Sequence, residues 1–193
     1  MRRLDGAKSA HRHNARVATS TPQGADTSAT DVLEILAFAR ECRAGLWIDG
    51  GWGVDALLGG QTRNHGDLDV AVEARHLAAL ESRLLRAGFR RCEEAGATAW
   101  NFLMSRPEGA VVDIHVIELD GAGNGVLGPP EQNAVYPAPA LAGRAVIAGQ
   151  SVDCISPEWV VAFHDAYRGN EKDRRDVRAI CARFGLVVPG QYR

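Results

Sequence analysis

Three acidic residues and a pair of glycines carry the chemistry available to this chain. Asp67 and Asp69 lie two apart in Asp67-Leu68-Asp69-Val70-Ala71-Val72-Glu73, where Leu68, Val70 and Val72 point one way and both carboxylates the other. Like charges sharing a strand face repel by roughly 4 kcal/mol at about 4 Å in an effective dielectric near 20. A hard divalent cation removes that penalty, and Mg2+ is commonly held by one or two carboxylates together with phosphate oxygens. A third acid, Asp113, stands in a second alternating run, where Val112, Ile114 and Val116 oppose Asp113, His115 and Ile117. Three such carboxylates complete a site for one or two ions, and Asp113 can instead take the proton of an attacking hydroxyl. Upstream, Gly50-Gly51 follows the apolar run Leu46-Trp47-Ile48 and precedes a helical stretch over 52–58. A turn of that kind brings backbone N–H groups close to phosphate oxygens, with no Cβ in the way.

Singly, these signals are weak, because an Asp-x-Asp on a solvated strand or a Gly-Gly turn is usually no site at all. In this order and at strand ends, they read together as a site for a metal-bound triphosphate. The elements that must position them follow from periodicity and caps. A first helix is expected from Asp31, with Asp31 as N-cap, Glu34 at N3 and Val32, Leu33, Ile35, Leu36 and Phe38 as the apolar positions, ending near Gly45. The strand over 67–73 leads into a helix over 74–87, with Leu77, Leu80, Leu84 and Leu85 at helical spacing and Gly88 closing it. Two less distinct strands, 89–94 and 100–105, precede the strand over 111–119. Residues 120–140, dense in glycine and proline, read as a long connection of the sort that often forms a substrate loop. A hairpin over 146–155 and helices over 157–167 and 172–184 complete the chain, the last stopping at Gly185.

Of 193 residues, 46% are hydrophobic, enough for one full core and a small appended helical part. The leading residues 1–29 hold almost no large apolar side chains and are expected to be a disordered extension, with the main domain over 30–155 and a helical segment over 156–193 packed on it. With 22 Lys and Arg against 24 Asp and Glu, the chain lacks the basic excess of a nucleic-acid binder. The four cysteines are scattered and form no Cys-x-x-Cys pair, as expected of reduced thiols in a cytoplasm rather than a zinc site or a disulfide framework. No apolar run approaches the roughly 20 residues of a bilayer span, so no membrane association is expected. The protein is expected to be cytoplasmic and a monomer or homodimer.

The stretch Trp47-Ile48-Asp49-Gly50-Gly51-Trp52-Gly53-Val54-Asp55, followed by Thr62-Arg63-Asn64-His65-Gly66-Asp67-Leu68-Asp69, resembles the signature of the small antibiotic nucleotidyltransferases of the lincosamide and aminoglycoside-2'' types. Val112-Asp113-Ile114-His115, Phe163-His164-Asp165-Ala166-Tyr167, Glu171-Lys172-Asp173 and Asp176 are similar to the lincosamide branch. The resemblance runs from about residue 31 to residue 185. It implies an α/β (α+β) polymerase-beta-like nucleotidyltransferase fold, a mixed sheet with helices on one side and a short C-terminal helical part. It also implies Mg2+-dependent transfer of AMP from ATP to an antibiotic hydroxyl, with a lincosamide as the leading acceptor. An aminoglycoside 2''-adenylyltransferase and a protein-modifying, antitoxin-like or binding-only relative are the alternatives.

On the same resemblance, Asp67 and Asp69 are metal ligands, Asp113 is the third ligand or the general base, and Gly50 and Gly51 hold phosphates. Trp52 anchors that turn in the core or stacks on the base. Arg63, His65 and Lys172 reach the triphosphate or else lie on the surface. His115 orients the acceptor or the base, or is an ordinary buried histidine; His164 is a weaker case of the same choice. Trp100, Trp159 and Tyr167 are candidate pocket walls. Arg174, Arg175 and Arg178 read as a solvated helix face with Asp173 and Asp176. The chain departs from the wider superfamily at Gly51, where many members carry serine, so a side-chain phosphate contact is expected to be missing. A polycationic acceptor calls for an acidic pocket, and the mixed charges of the C-terminal region tilt the reading towards a lincosamide.

Overall fold

The structure, a computed structural model, describes residues 26–193 apart from Glu108 and Asn133. In chain order its elements are α1 (Ala29–Glu41), β1 (Leu46–Ile48), α2 (Gly50–Leu58), β2 (Leu68–Glu73), α3 (Ala74–Arg86), β3 (Arg90–Arg91), β4 (Asn101–Ser105) and β5 (Val111–Leu119). Then come β6 (Gly125–Leu127), β7 (Ala134–Tyr136), β8 (Gly143–Ile147), β9 (Gln150–Cys154), α4 (Pro157–Asp165) and α5 (Glu171–Phe184). The sheet runs β3-β4-β5-β2-β1-β9-β8, with β6 and β7 continuing from the far end of β5. It is mixed: β2 lies parallel to β5 and β1 parallel to β9, while the other pairs are antiparallel.

The alternation of β2 and β5 sends Leu68, Val70, Val72, Val112, Ile114 and Val116 into the core, all buried. Helix α3 packs on both strands and α1 packs on α3, with Leu80 and Leu84 fully enclosed and the Arg83 guanidinium 3.8 Å above the Phe38 ring. Helices α4 and α5 pack on each other and on α2, so the C-terminal pair borders the carboxylate side of the sheet instead of joining the layer behind it.

Three expectations are corrected. The first helix starts at Ala29 and not Asp31: Ser28 is its N-cap, accepting from the Asp31 N–H, while Asp31 at N3 accepts from the Ser28 N–H at 2.9 Å. Serine caps as well as aspartate, and Asp31 gains a second role by accepting from Arg106 at 2.6 Å. The boundary at residue 29 is therefore too late, since Thr27 is fully buried, donates its N–H to the His65 carbonyl at 2.8 Å and accepts from the Val111 N–H at 3.1 Å. The disorder expected for residues 1–25 lies outside the described residues. Second, the strand expected over 89–94 shrinks to Arg90–Arg91. Third, residues 120–140 are not one uninterrupted loop: within them Gly125–Leu127 pairs with Ile117–Leu119 and with Ala134–Tyr136. Three-residue strands are too short for alternation to show, and Gly125 is where the hairpin meets the Ile117 side chain, leaving no room for a Cβ.

Burial alone would raise the Asp31 pKa, but the Ser28 hydroxyl and N–H and the Arg106 guanidinium outweigh it and hold the carboxyl below its usual range. Its stabilisation is therefore complete above the ordinary carboxyl pKa and is lost as the pH falls through the lower folded-state value. Asp31→Ala is expected to cost about 1 kcal/mol and roughly 2–4 °C of Tm at neutral pH. Thermal unfolding across pH should show that deficit shrinking in acid.

Candidate active site

The parallel register of β2 and β5 sets Asp69 beside Asp113 and Ala71 beside His115, so Asp69, Asp113 and His115 share one face. Ligating atoms of these three lie within 4.8 Å of one another. Asp67 precedes β2 and lines the same cavity, about 340 Å3 in volume. On the neighbouring strand Asn101 faces His115 and donates from Nδ2 to Asp113 Oδ1 at 2.8 Å. Burial, then the charges of Asp67 and Asp113, push the Asp69 carboxyl well above its ordinary pKa, with His115 opposing them. Burial and Asp113 likewise raise Asp67, against the pull of Lys172, His65 and Arg63. Oxygen donors crowded this way are matched to a hard divalent cation, whose charge would offset the repulsion among them.

His115 has the opposite balance. Burial alone would lower its pKa, but Asp113, Asp69 and Asp49 outweigh it and the imidazole is pushed up to about 9. Its Nε2 faces Asp113 Oδ1 at 3.6 Å and its Nδ1 lies 2.8 Å from the Tyr136 hydroxyl, which itself donates to Asp49 Oδ2 at 3.2 Å.

Asp49 also caps α2, accepting from the Gly50 N–H at 2.8 Å, so the helix starts at Gly50, two residues earlier than expected. Gly50 has φ +57, and a Cβ there would run into the Asp69 carboxylate. At Gly51 a Cβ would meet the His65 ring and come within 2.7 Å of Arg63 Nη2. The space that a serine side chain would need at position 51 is thus filled by the His65 ring and the Arg63 guanidinium, and the turn has a side-chain cation at hand in place of a hydroxyl.

His65 is placed differently from a phosphate ligand. It lines the cavity, yet it is buried with both ring nitrogens engaged: Nδ1 accepts from Arg63 Nη1 at 2.9 Å, which leaves Nε2–H to donate to Asp55 Oδ2 at 2.5 Å. Its visible work is to fasten the loop before β2 to α2 and to present Arg63, whose Nη2 also donates to Asp176 Oδ2 at 2.9 Å. Trp52 is 2% exposed and lies 4.9 Å from the His65 ring, so it anchors the turn. Lys172 stands in the cavity wall near the start of α5, with Asn170, Asp173 and Asp176. The solvated face expected for Asp173 and Asp176 is corrected, because one helical turn separates them and both face the cavity. His164 and Tyr167 also line it, whereas Trp159 packs on Phe163 at 5.6 Å in the core and Trp100 packs against Gly128.

Sequence reasoning left Asp49, Asn101 and Tyr136 unassigned. Asp49 carried a usable signal, an acid at the N-cap position of a helix. The other two depend on strand register, which no local pattern reveals.

The aminoglycoside-2''-adenylyltransferase family matches residues 31–180. The chain belongs to that family. It is similar to a lincosamide resistance protein of Staphylococcus haemolyticus, 28% identical over 148 residues, which cover 77% of this chain and 91% of that protein. A 68-residue stretch, 35% of this chain and 38% of the relative, is 41% identical to a 2''-aminoglycoside nucleotidyltransferase of Klebsiella pneumoniae. Among solved structures, lincomycin-bound lincosamide antibiotic adenylyltransferase LnuA is similar at TM-score 0.71 and 27% identity, over 81% of this chain and 98% of LnuA. ANT(2'')-Ia in complex with adenylyl-2''-tobramycin is similar at TM-score 0.61 and 25% identity, over 80% of this chain and 87% of that one. This adenylyltransferase-family member is accordingly an enzyme, a nucleotidyltransferase, with the polymerase-beta-like fold that the resemblance implied.

Two glycines of this nucleotidyltransferase separate backbone strain from side-chain collision. Gly59 has φ +82 and open space around its Cβ direction, whereas Gly50 has φ +57 and Asp69 in the way. Gly59→Ala is expected to cost about 1–2 kcal/mol from left-handed backbone alone. Gly50→Ala should lower Tm distinctly more in the same thermal scans, because Asp69 must also move.

Proposed function

We propose that the enzyme transfers AMP from ATP, bound with Mg2+, to a hydroxyl of an antibiotic, with a lincosamide as the acceptor. The observation that carries this reading is the meeting of Asp67, Asp69 and Asp113 with the Gly50-Gly51 turn in one cavity that also holds Arg63 and Lys172. Asp67, Asp69 and Asp113 supply the oxygen donors that suit Mg2+, which when bound neutralises charge on the reacting phosphate and its leaving group. The acceptor oxygen bonds to the α-phosphorus, the bond from that phosphorus to the β-phosphate bridge breaks, and pyrophosphate leaves. Asp113, held at Oδ1 by Asn101, takes the acceptor's proton. Gly50 and Gly51 let the start of α2 approach the phosphates, Arg63 and Lys172 offset the charge of the departing pyrophosphate, and His65 and Trp52 keep that arm of the site in place.

The acceptor reading rests on the likeness to the lincosamide resistance protein, which runs over nearly its whole length, and on the charges of the wall. Asp173 and Asp176 enter the cavity, but Asp176 is paired with Arg63 and Asp173 accepts from the Asn170 N–H and lies beside His164. Both acids therefore carry internal partners, which favours an acceptor of low charge over a polycation. His164, Tyr167, Lys172, Asp173 and Asp176 line the cavity, so selection of the acceptor falls largely to the wall at α4 and α5. No described helix is long and apolar enough to cross a membrane, and all four cysteines are free, in keeping with work in the cytoplasm.

Pyrophosphate release with ATP and Mg2+ is the direct test. Release that requires lincomycin or clindamycin, with a product heavier by one AMP, is the expected result. Release with aminoglycosides alone transfers the enzyme to the sister specificity, and release with neither sinks the antibiotic reading. Asp67→Ala and Asp113→Ala should each lower turnover by at least about 10²-fold with an unchanged circular dichroism spectrum. Chelation should stop the reaction and added Mg2+ restore it.

A further inference from the structure

Four polar side chains form a chain through the middle of the protein that the reaction as proposed does not use in full. Asp113 and His115 come from β5, Tyr136 from the end of β7 and Asp49 from the junction of β1 and α2; all four are buried, at 4%, 4%, 1% and 2% exposure. The hydrogen bond from Tyr136 to Asp49 sets the direction of the others. Asp49 accepts twice, from the Gly50 N–H and from the Tyr136 hydroxyl. With its only proton given to Asp49, Tyr136 can only accept from His115, so the imidazole donates from Nδ1 and turns Nε2 to Asp113 Oδ1. Asn101 reaches that same oxygen, so Asp113 is held from two sides.

We propose that Tyr136 and Asp49 are positioning residues: they lock His115 against Asp113 and tie the proton-accepting carboxylate to the turn at the start of α2. This rests on the transferase reading of the site. Packing alone does not call for the arrangement. The Tyr136 ring meets Phe163 edge-on at 5.6 Å, a contact phenylalanine would keep, and an apolar residue at 115 would spare the sheet a buried ionisable group. What the chain gains is orientation, since Asp49 accepts from Tyr136 and Tyr136 from His115, whose Nε2 faces Asp113; Asp113 lines the cavity and Asp49 caps the helix whose first residues line it too.

Tyr136→Phe removes one oxygen and little else. The expected result is a kcat lower by about 10- to 100-fold, a KM for ATP within about twofold and a Tm lower by only about 2–8 °C, because His115 and Asp49 each lose a buried partner. Asp49→Asn keeps an equally good helix cap while denying Tyr136 one carboxylate acceptor, and should lower kcat in the same direction. Phe163→Leu serves as the packing control, since it loosens the same contact and leaves the hydrogen bonds alone. An unchanged kcat in Tyr136→Phe overturns the proposal, as does an equal kcat loss in Phe163→Leu. In the free protein, with 15N-labelled histidine, the His115 Nδ1–H signal should shift in Tyr136→Phe. If the wild type transfers to no antibiotic, the acceptor reading falls by itself, and an unmoved histidine signal would then overturn the relay independently.

Discussion

The rest of the structure is arranged around one unfavourable contact, the placing of Asp69 beside Asp113 on parallel strands with Asp67 close by. Left alone, such a cluster resists taking its full charge. The protein surrounds it with partial remedies of different kinds: the His115 imidazole on the same sheet face, Arg63 and Lys172 at the cavity wall, and the starts of two helices, α2 and α5, opening onto the same space. The remedies come from several elements, which is why a sheet, a loop and a C-terminal helix pair must all be in place before the site exists. None removes the repulsion entirely, and oxygen donors left in that state suit a hard cation.

The loop before β2 shows how tightly local and distant sequence are bound together. It delivers Asp67 to the cavity, and two and four residues earlier it carries His65 and Arg63, which fill the volume that a side chain at Gly51 would occupy. Glycine at 51 and the Arg63–His65 pair are therefore a single steric solution. The pair is then fixed from outside the loop, by Asp55 of α2 and by Asp176 of α5. A reading that treats the motif residues as separate ligands misses this division of labour, in which His65 spends its hydrogen bonds on protein and frees no nitrogen for a phosphate.

What the sequence disclosed follows the same lines. The alternation around Asp67, Asp69 and Asp113 was visible because each strand has one apolar and one chemical face, and the glycine turn was visible because strand, glycines and helix follow in order. Register was not visible, so Asn101, opposite His115, had no signal, and Tyr136 sat in a stretch whose glycines and prolines read as a loop. Asp173 and Asp176 were hidden in a run of mixed charge, where arginines on the outer face masked an inner face that continues through Val177 and Ile180. Helix boundaries failed where two capping residues stood close together, since Ser28 and Asp31 are both good caps and only the buried Thr27 decides between them.

A buried histidine with a raised pKa and a buried carboxylate are poor choices for stability in the centre of a sheet, where β-branched residues at the same positions would pack without desolvating charge. Natural sequences keep such costs where function requires a fixed geometry. In this fold the costly groups are not scattered: Asp49, Asp113, His115 and Tyr136 touch in sequence, and Asn101 closes one end. The concentration has a mechanical consequence. Asp49 at the α2 start is tied through Tyr136 to His115, which lies 3.6 Å from Asp113, so the positioning proposed above needs no large movement of the backbone between them. In the proposed reaction that tie would hold Asp113 and the Gly50-Gly51 turn to one geometry, the condition for acceptor hydroxyl and α-phosphorus to meet in line.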